Sequence, residues 1–239
     1  MAVAQKLACQ VEKIIHHGEH VYTVDLRPER PAPRFRPGQF LHLALDAYDL
    51  SGFWPESRVF SIASSPTQRE RLRISYSVQG RFTARMEREL AEGQWVWAKL
   101  PYGEFIVEDT SDAVLFAGGT GITAFTAFLD GLTPDLRHRV YLAYGARKRD
   151  LLIYRDMVER RAQMTAMLHT FFFIESAADE LQPNETAGRL SVAGVWPQIQ
   201  DPPAATWYLS GPPAMLKAIS QDLHGRGVRA DAIRIDAWE

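Results

Sequence analysis

Cysteine is almost missing from this chain: Cys9 is the only one in 239 residues. No internal disulfide can form, and an iron–sulfur cluster held by four thiolates is excluded. Cys9 itself reads as a small apolar residue on a first strand. Net charge is equally scarce. The 27 Lys and Arg against 29 Asp and Glu leave −2, so the chain lacks the basic footprint of a nucleic-acid binder. The histidines, including His16-His17, show no ligand spacing that would hold a metal, and no Ser–His–Asp arrangement is legible. Met1 to Gln10 has no basic run leading into an apolar stretch, so no signal peptide is expected. Long apolar runs are also absent but for one. Ala113 to Leu129 carries no charge, close to the lower limit for a spanning helix. However, Gly118-Gly119-Thr120-Gly121 breaks it in the middle, and such a cluster suits a strand-to-helix turn better than a helix interior. The expectation is a cytoplasmic protein with no membrane span.

What is present is an ordinary globular composition, 46% hydrophobic and 23% charged, with length enough for two domains of moderate size. Up to about residue 107 the pattern is of short strands between turns: Lys6–Ile15, Val21–Leu26, Phe40–Leu45, Arg71–Val78 and Gln94–Leu100. In the fourth, Leu72, Ile74, Tyr76 and Val78 alternate with Arg73, Ser75 and Ser77, the period of a strand with one buried face. A helix is expected over Phe82–Ala91, stopped by Gly93. Many strands and one helix predict an antiparallel Greek-key β-barrel over residues 1–109. Beyond it the rhythm changes. Apolar runs at Ala113–Ala117, Val140–Tyr144, Leu168–Ile174, Trp207–Leu209 and Ile233–Ile235 alternate with helical stretches, among them Leu151–Gln163 and Ala214–His224. That alternation predicts a doubly wound α/β domain with a parallel sheet over residues 110–239. The polar segment Gln182–Ala187 is expected to be a surface loop.

Four motifs carry chemistry, and each has a plain structural reading beside it. Gly118 to Gly121 lies between strand and helix, where glycines let backbone N–H groups approach a phosphate at a helix N-terminus. With Ala124 it also fits G-x-G-x-x-A. An ordinary Rossmann dehydrogenase would place an acid at the end of the next strand, but that strand ends Tyr144-Gly145-Ala146-Arg147. A tight turn that binds nothing is the alternative. Arg58-Val59-Phe60-Ser61 offers a cation for a diphosphate, an aromatic face for a ring system and a hydroxyl for a heteroatom, or is simply an amphipathic strand. Gly80-Arg81-Phe82-Thr83 opens the helix of the first domain as an anion site, or as an N-cap. Ser210-Gly211-Pro212-Pro213-Ala214-Met215 turns a strand into a helix at the sheet edge where nucleotides bind, or is a bare connection.

In order and spacing these segments resemble the ferredoxin–NADP⁺ reductase superfamily, from about Lys6 to Glu239. Arg58 to Ser61 looks like the family's R-x-Y-S flavin motif with Phe60 in place of tyrosine, and Gly80 to Thr83 like its G-x-x-S/T phosphate motif. Gly93-Gln94 through Pro101-Tyr102-Gly103-Glu104-Phe105 is similar to its barrel-closing strand pair. Gly118 to Thr123 resembles its G-G-T-G-I-T loop, and Ser210 to Met215 its C-G-P-P-x-M segment. The resemblance implies a FAD-dependent enzyme moving hydride from NADH or NADPH to flavin N5. By it, Arg58 and Val59 line the FAD pyrophosphate, Phe60 packs on the isoalloxazine and Ser61 lies near N5. Tyr76, Ser77 and Val78 run past the ribityl–phosphate chain, and Gly80, Arg81, Phe82 and Thr83 hold phosphate. Gly118, Gly119, Thr120, Gly121 and Thr123, with Gly211, Pro212 and Met215, face the nicotinamide nucleotide.

The sequence departs from the family's pattern at several points. Ser210 stands where the family carries cysteine near the nicotinamide; its hydroxyl can still donate a hydrogen bond. Asp236 and Trp238 occupy C-terminal positions usually held by glutamate and an aromatic. Ser61, Ser210 and Asp236 are therefore the candidate catalytic residues. NADPH-selective relatives carry a Ser-Arg pair after the third strand of the α/β domain; here Glu175-Ser176-Ala177 stands there. An acid would repel a 2′-phosphate and accept ribose hydroxyls, so NADH is expected, with Arg147 and Arg189 as compensating cations. With no cluster of its own, the chain must deliver electrons elsewhere: to a separate ferredoxin, flavodoxin or oxygenase component, or to free flavin or a ferric chelate. A non-catalytic nucleotide-binding subunit is the reading from another class. Arg34, Arg36, Arg69 and Arg71 form either a docking patch for an acidic partner or a solvated surface.

Overall fold

The computed structural model describes residues 3–49, 52–108, 110–176 and 180–236. The chain divides into two units, Met1–Ile106 and Val107–Glu239, each built on its own six-stranded sheet. The first contains β1 (Gln5–His16), β2 (Val21–Pro28), β3 (Phe40–Ala44), β4 (Ser57–Ser61), β5 (Leu72–Ser77), α1 (Arg81–Glu89) and β6 (Trp95–Tyr102). The strands lie in the order β4-β3-β6-β1-β2-β5 and every pairing is antiparallel. The sheet curls into a nearly closed barrel because alternate residues are apolar. Leu7, Cys9, Val11, Leu41, Leu43, Leu72, Ile74, Val96, Ala98 and Leu100 are all buried on its inner face, at about 1.5–3 kcal/mol for each of the larger side chains. Phe82 and Met86 of α1 join the same core. The alternation over β5 holds with one difference: Ser75, on the polar face, is also buried. The β2–β5 register explains it. Arg73 lies opposite Asp25 and Ser75 opposite Thr23, forming a bidentate ion pair at 2.6 and 2.8 Å and a hydroxyl–hydroxyl bond at 2.7 Å.

The second unit contains β7 (Ala113–Gly118), α2 (Thr123–Asp130), β8 (Val140–Ala146), α3 (Arg155–Met164), β9 (Leu168–Ile174), β10 (Glu185–Ala187), β11 (Thr206–Ser210), α4 (Pro213–Gly225) and β12 (Ile233–Ile235). Its sheet is parallel throughout, in the order β10-β9-β8-β7-β11-β12. β7 and β8 are buried at every position, which is why they read as continuous apolar runs rather than alternating ones. Trp207 anchors one layer of the core, stacked between Phe116 at 5.9 Å and Trp196 at 5.6 Å. The uncharged run from Ala113 to Leu129 is a strand, a 3₁₀ turn and part of a helix. Among the described residues no helix is long and apolar enough to cross a membrane.

Two local expectations fail here, for a shared reason. The helix expected from Leu151 starts only at Arg155, after a 3₁₀ turn over Arg149–Leu151. In the segment expected to be a polar loop, Glu185–Ala187 pairs with β9 as an edge strand. Both follow from Glu185, whose side chain is wholly buried. Arg149 reaches it with Nε at 2.9 Å and Nη2 at 2.8 Å, Arg155 also pairs with it, and the Gln182 amide donates to Oε2 at 2.9 Å. Arg155 in turn lies over the Phe172 ring at 4.7 Å. One carboxylate thus ties β10 to the start of α3 and the turn before it.

The Arg149 hydrogen bonds, with help from the Gln182 amide and Arg155, hold the Glu185 carboxyl well below its ordinary 4.5, at about 2. The folded-state pKa is depressed, so the clamp's contribution is full above about pH 4.5 and is lost as pH falls toward 2. Glu185→Gln is expected to lower unfolding free energy by about 2–3 kcal/mol at neutral pH, because it strands two partly buried arginines. It should also flatten the fall in stability between pH 4.5 and 2 seen in the parent by urea titration.

Candidate functional site

In the first unit the expected residues gather at the two ends of the sheet. β4 pairs only with β3 and β5 only with β2, so Arg58, Phe60 and Ser61 on one strand face Tyr76 and Ser77 on the other without a ladder between them. Phe60 and Tyr76 meet there edge to face, ring centroids 6.1 Å apart. Tyr76 is buried and stacks on Tyr22 at 5.3 Å, and Tyr22 on His16 at 4.7 Å. The Tyr22 hydroxyl donates to Glu87 of α1 at 2.8 Å, which fixes the helix beside this aromatic row. Burial pushes the Tyr76 hydroxyl upward in pKa, so it stays protonated. Phe60 is half-buried and packed on the core. Val59 is half-buried on the same strand. Arg58 is exposed and makes no ion pair with any described residue.

β5 leads into α1 through Gln79 and Gly80, and here the structure refines the expectation. The Thr83 hydroxyl accepts from the Gln79 amide at 3.0 Å and the Gly80 amide at 3.2 Å, and sits 3.2 Å from the Gly80 carbonyl. It caps its own helix. What remains for an anion is the backbone of the first turn, Arg81 and Phe82, whose N–H groups have no intrahelical acceptor, and the Arg81 guanidinium. The Val78 amide is committed to the His20 carbonyl at 3.0 Å. A Cβ placed on Gly80 would meet nothing within 4 Å, so the turn is open on the side where a phosphate would approach the backbone. A diphosphate carried on an aromatic ring system fits these residues.

In the second unit the sheet order runs outward from β7 in both directions: β8, β9 and β10 on one side, β11 and β12 on the other. β7 and β11 therefore flank the switch point, where open parallel sheets bind ligands beyond their carboxyl ends. The two turns that leave these strands, Gly118–Ile122 and Ser210–Pro213, touch. A Cβ on Gly121 would lie 2.4 Å from the Ser210 carbonyl oxygen, and one on Gly118 would lie 2.5 Å from the Met215 sulfur and 3.0 Å from Pro212 Cδ. Gly211, at φ +152°, would strike the Gly118 backbone at 3.0 Å. Gly118 and Gly121, expected to admit a phosphate, and Gly211, expected to face the nucleotide, thus serve first to let two turns pack. Gly119 differs: its φ is +53° and its Cβ direction is open for 4 Å. Thr120 beside it is half-buried. Thr123 is buried with its hydroxyl donating to the Thr120 carbonyl at 2.8 Å, so it shapes the turn rather than facing a ligand.

Register explains the next pair. Leu209 of β11 lies opposite Ile235 of β12, so Ser210 and Asp236 leave adjacent strand ends. The buried Ser210 hydroxyl donates to Asp236 Oδ2 at 3.0 Å. Its one proton is committed there, and toward a bound ligand Ser210 is left as an acceptor, not the donor expected from sequence. The remaining residues complete the same carboxyl edge. Arg147 follows β8, and its carbonyl accepts from the Ser176 amide at 2.8 Å. Glu175 and Ser176 follow β9, and Arg189, just past β10, pairs with Glu175 at 3.6 Å. Trp238 lies outside the described residues. Sequence reasoning missed the Glu185 clamp, which carries no local signal because its partners lie 30 and 36 positions away. Of the four arginines weighed as a docking patch, Arg69 donates to the Ala32 carbonyl and Arg71 pairs with Glu12.

Residues 115–221 match the family model described as the oxidoreductase NAD-binding domain. The flavohemoprotein of Chromobacterium violaceum is 28% identical over 86% of this chain, which spans 53%, about half, of that protein's length. The NAD(P)H-flavin reductase of Vibrio harveyi is 27% identical over 74% of this chain and 75% of its own. A cytochrome P450 reductase from Amycolatopsis superposes with a TM-score of 0.83 at 22% identity, covering 100% of this chain and 71% of that one; at such identity the likeness speaks for the fold. An antiparallel barrel followed by a parallel α/β unit that matches an oxidoreductase NAD-binding domain over residues 115–221, with the glycine and proline turns meeting at its switch point, gives this chain a fold similar to that of ferredoxin reductases.

Proposed function

We propose that this chain is a FAD-dependent NAD(P)H oxidoreductase of the cytoplasm that draws hydride from the nicotinamide and passes electrons to a separate protein acceptor, such as a ferredoxin, a flavodoxin or an oxygenase component. The observation that carries the reading is the convergence of Gly119, Thr120, Ser210 and Asp236 at the switch point of one parallel sheet. Bound flavin supplies an acceptor for two electrons that can leave one at a time. The chain's own residues do the rest. Arg58 and the first amides of α1 bind the diphosphate. Phe60 covers one side of the ring system, and Ser61, at the end of β4, offers a hydroxyl to its heteroatoms. Gly119 and the start of the following helix receive the nucleotide phosphates. Ser210, its proton held by Asp236, accepts from the carboxamide N–H and fixes the face that the nicotinamide presents. Gly211, Pro212 and Met215 back that position against Gly118.

Coenzyme choice rests on the edge formed by Arg147, Glu175, Ser176 and Arg189. Arg189 is paired with Glu175, which takes a cation from any 2′-phosphate and leaves a carboxylate for ribose hydroxyls, so NADH is preferred. A second reading, NAD(P)H reduction of free flavin or a ferric chelate, is favoured by the Vibrio harveyi relative, whose length is matched over 75%.

Purified protein reconstituted with FAD is expected to show a flavin absorption spectrum that bleaches on anaerobic addition of NADH. A spectrum unchanged by NADH and NADPH leaves only the role of a non-catalytic nucleotide-binding subunit. Reoxidation by an oxygenase component or ferredoxin, against reoxidation by free FMN, separates the two enzymatic readings. The ratio of kcat/KM for NADH to that for NADPH should exceed one, and a tenfold preference for NADPH reverses the assignment. Ser210→Ala should slow bleaching about tenfold, the worth of one hydrogen bond, with flavin content unchanged.

A further inference from the structure

The outer face of the barrel over β1, β6 and β3 is basic and aromatic. Register places Lys6 opposite Lys99, and Lys99 opposite His42. Like charges directly opposite on neighbouring strands destabilise a sheet, and neither lysine forms an ion pair with any described residue. Lys6 Nζ lies 4.2 Å from the centre of the Tyr48 ring and bonds its hydroxyl; Lys99 Nζ lies 5.3 Å from the centre of the Tyr102 ring. The rings hold the two ammonium groups in place and leave their charge uncompensated. Burial, and then the nearness of Lys99, lower the pKa of His42, so it is neutral at pH 7. Glu29 touches this face, its Oε1 accepting from the Ala8 amide at 3.3 Å, and pairs with neither lysine. One row along, Trp97 lies between Ala8 and Ala44. In the next, Trp95 lies opposite Gln10, which accepts from Arg27 of β2. Arg27 too has no acid partner among the described residues. Trp95 is 47% exposed and Trp97 half-buried. Neither indole N–H has a hydrogen-bond partner among the described residues.

We propose that this face docks the chain on the anionic surface of a lipid bilayer, with Lys6, Lys99 and Arg27 at the headgroup phosphates and Trp95 and Trp97 at the boundary with the hydrocarbon. Two unpaired lysines held side by side repel each other in water, and a negatively charged leaflet relieves that repulsion while attracting both. Indole rings favour the membrane–water interface, where the apolar body leaves water and the N–H finds headgroup oxygens. Lysine stems lie along apolar surface with the charge directed outward, which suits the same depth. Alternate residues of β6 are about 7 Å apart, so Trp95, Trp97 and Lys99 form a line along one face. A fluid layer of headgroups adapts to that spacing and supplies an acceptor to each unpaired N–H wherever it lies. A protein partner needs a matched acid or acceptor at every position. The attachment is peripheral, since among the described residues no helix is long and apolar enough to cross a membrane.

The test is flotation of the purified protein with vesicles of phosphatidylcholine alone or of phosphatidylcholine with about one part in four of phosphatidylserine. The parent is expected to float with the anionic vesicles only, and less so as salt rises. Lys6→Gln combined with Lys99→Gln should weaken that binding about 30-fold, with flavin content and bleaching by NADH as in the parent. Lys6→Glu gives Lys99 an opposite charge across the strands. Its urea midpoint should therefore stay at or above the parent's while vesicle binding is lost, which a merely structural role for Lys6 does not produce. Trp95→Phe combined with Trp97→Phe should remove most of the blue shift in tryptophan emission that anionic vesicles cause in the parent. A parent that binds no anionic vesicles, or lysine variants that bind them as the parent does, overturns the proposal. Retention of the parent but not of Lys6→Glu on immobilised polyglutamate, without binding to vesicles, overturns it in favour of an acidic protein partner.

Discussion

Two turns on neighbouring parallel strands can share one place at a sheet edge only if neither carries side chains into the other. The contact between Gly118–Gly121 and Ser210–Gly211 meets that condition, and the second unit depends on it. A single Cβ on Gly121 would drive into the Ser210 carbonyl, and the separation of β7 from β11, set by their ladder, leaves no slack to absorb it. The consequences reach outward from that contact. The turn can tighten into a 3₁₀ segment and start α2 at Thr123. Met215 can close over Gly118, and Ser210 comes to rest where the adjoining strand brings Asp236. Glycine here removes obstruction first. Exposure of backbone to a ligand is left to Gly119, the one glycine of this turn whose side opens on space.

The first unit works by a different constraint. A barrel of six strands whose two end strands do not pair leaves a seam, and this seam is filled with rings. The row Phe60, Tyr76, Tyr22, His16 continues the core toward α1, and Glu87 ties the helix to it. The seam and the start of the helix are brought together by packing that needs no ligand. Binding residues held on a scaffold already stable in their absence lose little freedom when a ligand arrives.

Much of this was legible in the sequence. Periodicity of two over β5 and β6, and apolar runs alternating with helical stretches beyond residue 110, follow directly from which faces are buried, so strands and their order of appearance could be read. Position along the chain could also place Gly118–Gly121, Ser210 and Asp236 at strand ends. What could not be read was what each group is bonded to. Thr83 looks like a phosphate ligand from its spacing, yet its hydroxyl closes the helix start. Ser210 looks like a donor until register sets a carboxylate beside it. Ser75 looks solvated until Thr23 is found opposite. In each case the deciding partner is distant in sequence or depends on a backbone turn, and local pattern carries no trace of it.

β10 is three residues long and lies at an open margin of the parallel sheet. Such margins invite pairing with a strand from another molecule, and a charge turned inward on the outermost strand is one of the ways proteins discourage it. Glu185 has that position, and its two arginines keep it there. If acid or mutation releases this carboxylate, β9 becomes the margin: seven residues containing three consecutive phenylalanines, Phe171 to Phe173. The buried ion pair thus sets an inward charge on the outermost strand, the kind of device that discourages strand-to-strand association, as well as fastening a turn.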